Sequence, residues 1–230
     1  MSNALDNLAW FGHASFQLEN KEGKKFYFVD PFDIKRMPNS KADAIFITHA
    51  HPDHANGLKK GVPCLVYASQ ETKDILKKMP VDIQILVPRK PVTIAGMTVE
   101  AFSLEHSLRA PAVGYRITAG NKTIFYMSDG VKIHNRKAAL KDIALYVGDG
   151  AVLTRFLLVR KKNNVLIGHA PVSEQLRWCK NEGVSRAIFT HCGSEIVKAD
   201  PVLINEKIDA LERFSGVSAS IAVDGLLVVV

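Results

Sequence analysis

Thr48-His49-Ala50-His51-Pro52-Asp53-His54 sets three imidazoles and a carboxylate within residues 49–54, directly behind the apolar run Ala44-Ile45-Phe46-Ile47. Packing does not explain such a cluster at the end of a buried strand. Coordination does. In an extended segment residues i and i+2 point the same way, so His49 and His51 converge on one ion. Asp53 and His54 lie past the turn at Pro52, placed to face a second ion. The competing reading is a surface loop that is merely His-rich. With three of the chain's eight histidines in this one place, coordination is the stronger reading.

Outward from this stretch, 230 residues at 47% hydrophobic suffice for one large core, and a single domain over residues 1–230 is expected. No apolar run approaches the roughly 20 residues that span a bilayer. No basic-then-apolar leader opens the chain, so a cytoplasmic location is the default. Cys64, Cys179 and Cys192 are far apart and odd in number. They argue against a disulfide framework and lack zinc-thiolate spacing. The net charge of +7 favours a small anionic substrate, phosphate esters included. It does not by itself make a nucleic-acid partner: the basic residues are scattered, and Arg160-Lys161-Lys162 reads equally as a solvated turn. No helix-turn-helix, zinc finger or aromatic-basic platform is present. The oligomeric state stays open, a homo-oligomer included.

The periodicities predict strands over 9–18, 25–30, 44–48, 65–68 and 83–87, with Ser69 capping a helix that runs to about Met79. A short helix opens at 55–60. Residues 92–104 hold a turn at Ala95-Gly96, and 113–118 pairs with 123–127 across Ala119-Gly120-Asn121. Later come helices near 135–141, 171–182 and 201–214, strands at 144–147, 165–167 and 186–190, and two closing strands over 218–230 turning at Asp224-Gly225. Mixed strands flanked by helices predict an α/β fold: two mixed sheets face to face, helices on both outer faces.

His106, Asp129, His169 and His191 each follow an apolar strand. Strand-end loops are where function collects in layered α/β proteins. Any one of them alone reads as well as a satisfied histidine or a turn aspartate. Four in the same position weaken that reading.

The run His49 to His54, followed by His106, Asp129 and His191, resembles the ligand series of the metallo-β-lactamase superfamily. Trp10-Phe11-Gly12-His13-Ala14-Ser15-Phe16 and Val29-Asp30-Pro31-Phe32 are similar to a small hydrolase branch that includes L-ascorbate-6-phosphate lactonase-like enzymes. Residues 113–117, 126–130 and 167–172 resemble its phosphodiesterase relatives. The likeness runs from about residue 8 to the end. It implies a four-layer αββα sandwich of two mixed sheets with two divalent metal ions at one edge, zinc first, with manganese, iron or nickel also admitted by nitrogen and oxygen ligands. It assigns His49, His51 and His106 to one ion, Asp53, His54 and His191 to the other, and Asp129 as the bridge. Ser128-Asp129-Gly130 departs from the more usual Gly-Asp-Thr, and Ala50 and Asn56 sit where other small residues are common. These departures bear on substrate range.

Two cations roughly 3.5–4 Å apart convert a bound water to hydroxide near neutral pH. The expected function is therefore a metal-dependent hydrolase of a small phosphodiester, cyclic ones included, with Asp53 and His169 as candidate catalytic residues. In the similar phosphodiesterases a histidine at the position of His169 protonates the leaving oxygen. Around them, Asp30 reads as a carboxylate that orients a ligand histidine, and His13 as lining the pocket or bonding a carbonyl. Asp149 faces the site or simply turns the chain, and Arg109 clamps an anionic group. A lactonase for a sugar-phosphate lactone is the nearest rival. Transfer-RNA processing and di-iron redox chemistry rank lower. A catalytically silent nucleic-acid-binding relative is the alternative of another class.

Overall fold

The structure, a computed structural model, describes residues 5–12, 14–20, 22–28, 42–155 and 159–229. One sheet runs in the order β17 (Leu227–Val228), β1 (Leu5–Gly12), β2 (Ser15–Asn20), β3 (Lys25–Phe28), β4 (Ala44–Phe46), β5 (Val66–Ala68), β6 (Ile83–Ile85). The other runs β11 (Lys132–Ile133), β8 (Met97–Glu105), β9 (Ala112–Ala119), β10 (Lys122–Tyr126), β12 (Leu145–Asp149), β15 (Arg186–Thr190), β16 (Ser218–Ile221), with β7 (Val92–Ile94) also paired to β8. A separate ribbon joins β13 (Arg160–Lys162) to β14 (Val165–Ile167). The helices are α1 (Pro52–Ala55), α2 (Gln70–Leu76), α3 (Arg136–Ala139), α4 (Val172–Asn181), α5 (Ser194–Val197) and α6 (Pro201–Ser215), with a 3₁₀ turn over Asn56–Lys60.

Strand alternation builds the layers. Ala44 and Phe46 of β4 join Val99, Tyr115, Tyr126 and Val147 in the core between the sheets. Ile45 and Ile47 point the other way, against Leu58 and Leu76 under α2. Likewise Leu145 and Val147 face inward, while Tyr146 and Phe189 meet Leu176, Trp178, Ile204 and Ile208 of α4 and α6. Strands apolar on both faces must be covered on both faces, and the αββα sandwich follows. No helix among the described residues is long and apolar enough to cross a membrane.

Two expectations are corrected. The single strand over 9–18 is two, β1 and β2, which pair antiparallel with Trp10 opposite Phe16 and Gly12 opposite Ser15. No Asn-Gly or Asp-Gly signal marks the reversal, so the apolar alternation reads straight through it. The two closing strands turn at Asp224-Gly225 as expected and enter different sheets: β16 extends one beside β15, and β17 edges the other beside β1. The bonds Gly225 N to Trp10 O (3.0 Å) and Trp10 N to Leu226 O (3.1 Å) hold this crossing. Finally, Arg160-Lys161-Lys162 is a strand of the ribbon, not a turn; the reversal falls after it, where Asn163 and Asn164 take φ of 51° and 62°, as asparagine tolerates.

Ser69 caps α2 as its position predicts: its Oγ accepts from Thr72 N at 3.2 Å while buried. Ser69→Ala is expected to destabilise by about 1 kcal/mol, lowering Tm by roughly 2–4 °C in thermal denaturation. An unshifted melt would mean the cap carries no stability.

Candidate metal centre

β10 runs parallel to β12, and β12 to β15, while β8 and β10 are each antiparallel to β9. Four C-terminal strand ends therefore share one edge of the second sheet. They carry His106 after β8, Asp129 after β10, Asp149 ending β12 and His191 after β15. The first sheet brings β4 to the same edge, where Val113 N donates to Thr48 O (3.0 Å) and Tyr115 OH to Ile47 O (2.6 Å). Past that seam Pro52 opens α1, a position needing no N–H, and its single turn carries Asp53 and His54.

His49, His51, His106 and Asp129 offer ligand atoms within 4.8 Å of one another, and so do Asp53, His54 and His191. The ring nitrogens of the first set face each other: His49 Nε2 lies 3.0 Å from His51 Nδ1, and His106 Nε2 lies 3.2 Å from the same atom. Asp129 sits between the sets. Its Oδ2 is 3.7 Å from His49 Nε2, 3.5 Å from His106 Nε2 and 3.4 Å from His54 Nε2, and its Oδ1 is 3.3 Å from His191 Nδ1. Asp53 Oδ2 is 3.4 Å from His54 Nε2 and 3.7 Å from His191 Nε2.

Electrostatics fit such a centre. Burial lowers the pKa values of His49, His51 and His106, and like charge from neighbouring imidazoles adds to this for His49 and His51. They stay neutral, as ligands must. Burial works against the charge of Asp129, yet His54 and His191 hold it well below the carboxylate range. Burial also disfavours the charged form of His191, but Asp129, Asp149 and Asp53 raise it to about 10. Carboxylates that force a proton onto a buried imidazole mark a place that demands positive charge. Four histidine nitrogens converging on a buried carboxylate whose Oδ1 accepts no hydrogen bond suit a divalent cation.

The outer ring is largely invisible in the sequence. Thr48 Oγ1 lies 2.9 Å from His49 Nδ1 and 3.0 Å from Ser128 Oγ, leaving Nε2 to point inward. His106 Nδ1 donates to Gly168 O at 3.1 Å. Asp149, fully buried, is more than a turn residue: its Oδ2 is 2.7 Å from His169 Nδ1 and accepts from Gly130 N at 3.1 Å. Gln175 of α4 holds that aspartate's backbone, accepting from Asp149 N (2.9 Å) and Tyr146 OH (2.9 Å) and donating to Asp149 O (2.6 Å) and Ala170 O (2.8 Å). Nothing in the sequence signals Gln175. Ser128 is visible only as a departure from the family pattern. Trp10 of the opening motif donates from Nε1 to Thr190 Oγ1 (3.1 Å), one residue before His191.

His169 stacks on His191 at 5.7 Å between centroids and meets His106 edge-on at 5.0 Å. With Asp129 and His191 it also forms a third convergent set. Burial lowers its pKa, but Asp149 outweighs this and raises it. Arg109 stands apart from the convergent sets, on the exposed loop after His106. His13 and Asp30 lie outside the described residues.

The sequence profile described as "Beta-lactamase superfamily domain" matches residues 14–192. The chain belongs to this superfamily. Among solved structures, the metallo-beta-lactamase fold protein YhfI of Bacillus subtilis superposes with a TM-score of 0.77 at 13% identity, over 98% of this chain and 99% of that one. Igni18, a metallo hydrolase of Ignicoccus hospitalis, gives 0.74 at 16% identity over 97% of each. The superfamily fold is thus shared essentially end to end. In sequence, a UPF0173 metal-dependent hydrolase of Thermoplasma acidophilum is 33% identical over 142 residues, 57% of this chain and 60% of that protein. This superfamily member spans about three fifths of the length of the curated relatives it matches.

Proposed function

We propose that the chain is a metal-dependent hydrolase of small anionic phosphodiesters. The carrying observation is the two convergent donor sets with Asp129 within reach of both, beside the His169–Asp149 pair. The name of the Thermoplasma relative supports the reading. His49, His51 and His106 would hold one cation and Asp53, His54 and His191 a second, with Asp129 lying within reach of both sets. Zinc suits this nitrogen-rich set, with manganese, iron and nickel as competitors. When bound, such cations acidify water and neutralise charge on the attacked centre.

The chain's own residues supply orientation and the proton. Thr48 and Gly168 fix which nitrogens of His49 and His106 face inward. Asp149 engages His169 Nδ1, fixing the ring so that Nε2 delivers a proton to the leaving oxygen. Against the effect of burial, Asp149 raises the pKa of His169 and so favours the protonated ring. Gln175 and Tyr146 keep Asp149 still.

The test pairs elemental analysis with a screen of aryl phosphodiesters, cyclic nucleotides and lactones, on wild type and His169→Ala. For esters with poor leaving groups His169→Ala should lower kcat by roughly 10²–10⁴-fold with metal content unchanged. Unaltered turnover of those esters removes the proton-donor role. Turnover of lactones alone replaces the phosphodiester reading by the lactonase one. A metal-loaded protein that cleaves nothing and is retained on nucleic acid in a salt-sensitive way points to a silent binding relative.

A further inference from the structure

The ribbon β13–β14 and the loop after His106 enclose a cleft of about 580 Å³ whose described lining is Ser107, Leu108, Arg109, Arg160, Lys161, Lys162 and Ile167. Four of these seven are cationic and none is acidic. Some basic side chains elsewhere meet carboxylates: Lys132 meets Glu105, Arg136 Glu182, Arg155 Glu195 and Arg177 Glu174. Glu105, the acid nearest in sequence to the cleft loop, is taken up by Lys132 Nζ and by Leu166 N, which donates to its Oε2 at 2.7 Å. The four cleft cations have no acidic partner among the described residues.

The cleft is tied to the metal centre through the backbone. Gly168 N donates to His106 O (2.9 Å) while His106 Nδ1 donates to Gly168 O (3.1 Å). Ser107 is the neighbour of His106, and Ile167 lies two residues from His169. At 3.8 Å per Cα step, the cleft wall begins within about 4–8 Å of both histidines. Ser107 Oγ accepts from Arg109 N (3.2 Å) and Ala110 N (3.4 Å), pinning the loop that carries Arg109.

We infer that this cleft is a second anion subsite, so that the substrate carries a further phosphate-type group besides the one at the metal centre. The inference rests on the hydrolase reading. Unpaired cations in a concave wall attract anions and form charge-assisted bonds to phosphoryl oxygens. The volume falls within the small-molecule range, too confined to track a long polyanion.

Inorganic pyrophosphate is the probe, titrated calorimetrically into the intact protein as purified, so the readout does not require turnover. Wild type binds it; Lys161→Glu/Lys162→Glu weakens binding by at least tenfold and flattens its salt dependence. Arg109→Gln weakens it severalfold. Lys137→Glu/Lys141→Glu, at a separate basic groove, leaves it unchanged. These exposed ribbon positions should leave Tm and metal content intact. No binding by wild type, or equal affinity in all variants, overturns the inference. Tighter binding of a single-stranded oligonucleotide, lost equally in both lysine double variants, overturns it in favour of a nucleic-acid surface. Pyrophosphate binding with the expected losses, beside a failed esterase screen, retains the anion subsite while rejecting the hydrolase reading.

Discussion

Asp129→Ala is expected to lose metal and to lower kcat/KM by roughly 10³-fold or more. Removing a group that merely orients a ligand costs 10–100-fold in related centres. Asp129 reaches both donor sets at once, with four histidines between 3.3 and 3.7 Å of its two oxygens. Its loss therefore weakens both positions together, and the effects of residues acting as one unit do not add. Asp129→Asn separates charge from shape: it keeps the volume and one oxygen but removes the negative charge that the histidines surround. Elemental analysis should show depleted metal in both variants, more in alanine. Full occupancy and near-native turnover in Asp129→Ala would refute the bridging role.

Gly193→Ala is expected to destabilise by about 3 kcal/mol, lowering Tm by roughly 6–12 °C. The cause is space, because Gly193 has an ordinary extended backbone (φ −73°, ψ 169°). An added Cβ would lie 2.0 Å from Ala151 O and 2.9 Å from the same carbonyl carbon. Backbone cannot swing aside as a flexible side chain can, so one loop must move. Both loops carry site residues: His191 stands two positions before Gly193, and Asp149 two before Ala151. They are laced together by Gly150 N to Thr190 O (2.6 Å), Gly193 N to Gly150 O (3.2 Å) and Ala151 N to Asp149 Oδ1 (2.9 Å). Activity should fall along with stability, since a displacement of about 1 Å can cost 10²-fold. A melting curve within a degree of wild type would show that the loops separate freely.

Local reading went far because local rules governed much of the fold. Helices α2, α4 and α6 and the pairing of β9 with β10 follow from cap residues, 3.6-residue periodicity and a Gly-Asn turn. Where the chain reversed without turn chemistry, as between β1 and β2, the reading ran through the bend. The short elements β11 and α5 carry too few residues for any period to register.

By itself the sequence determined the donor residues, their spacing over 49–54 and their placement behind apolar strands, because side-chain chemistry and strand geometry act over a few residues. Only the tertiary structure decided that His106, Asp129 and His191 close on that stretch, that Gln175 braces Asp149, and that the ribbon's cations line a cleft without acidic partners among the described residues. Those facts depend on which strand ends share a sheet edge and on hydrogen bonds between distant residues, such as Trp10 and Thr190, 180 positions apart. Such pairings are selected by how the two sheets and their covering helices pack, and no local pattern encodes them.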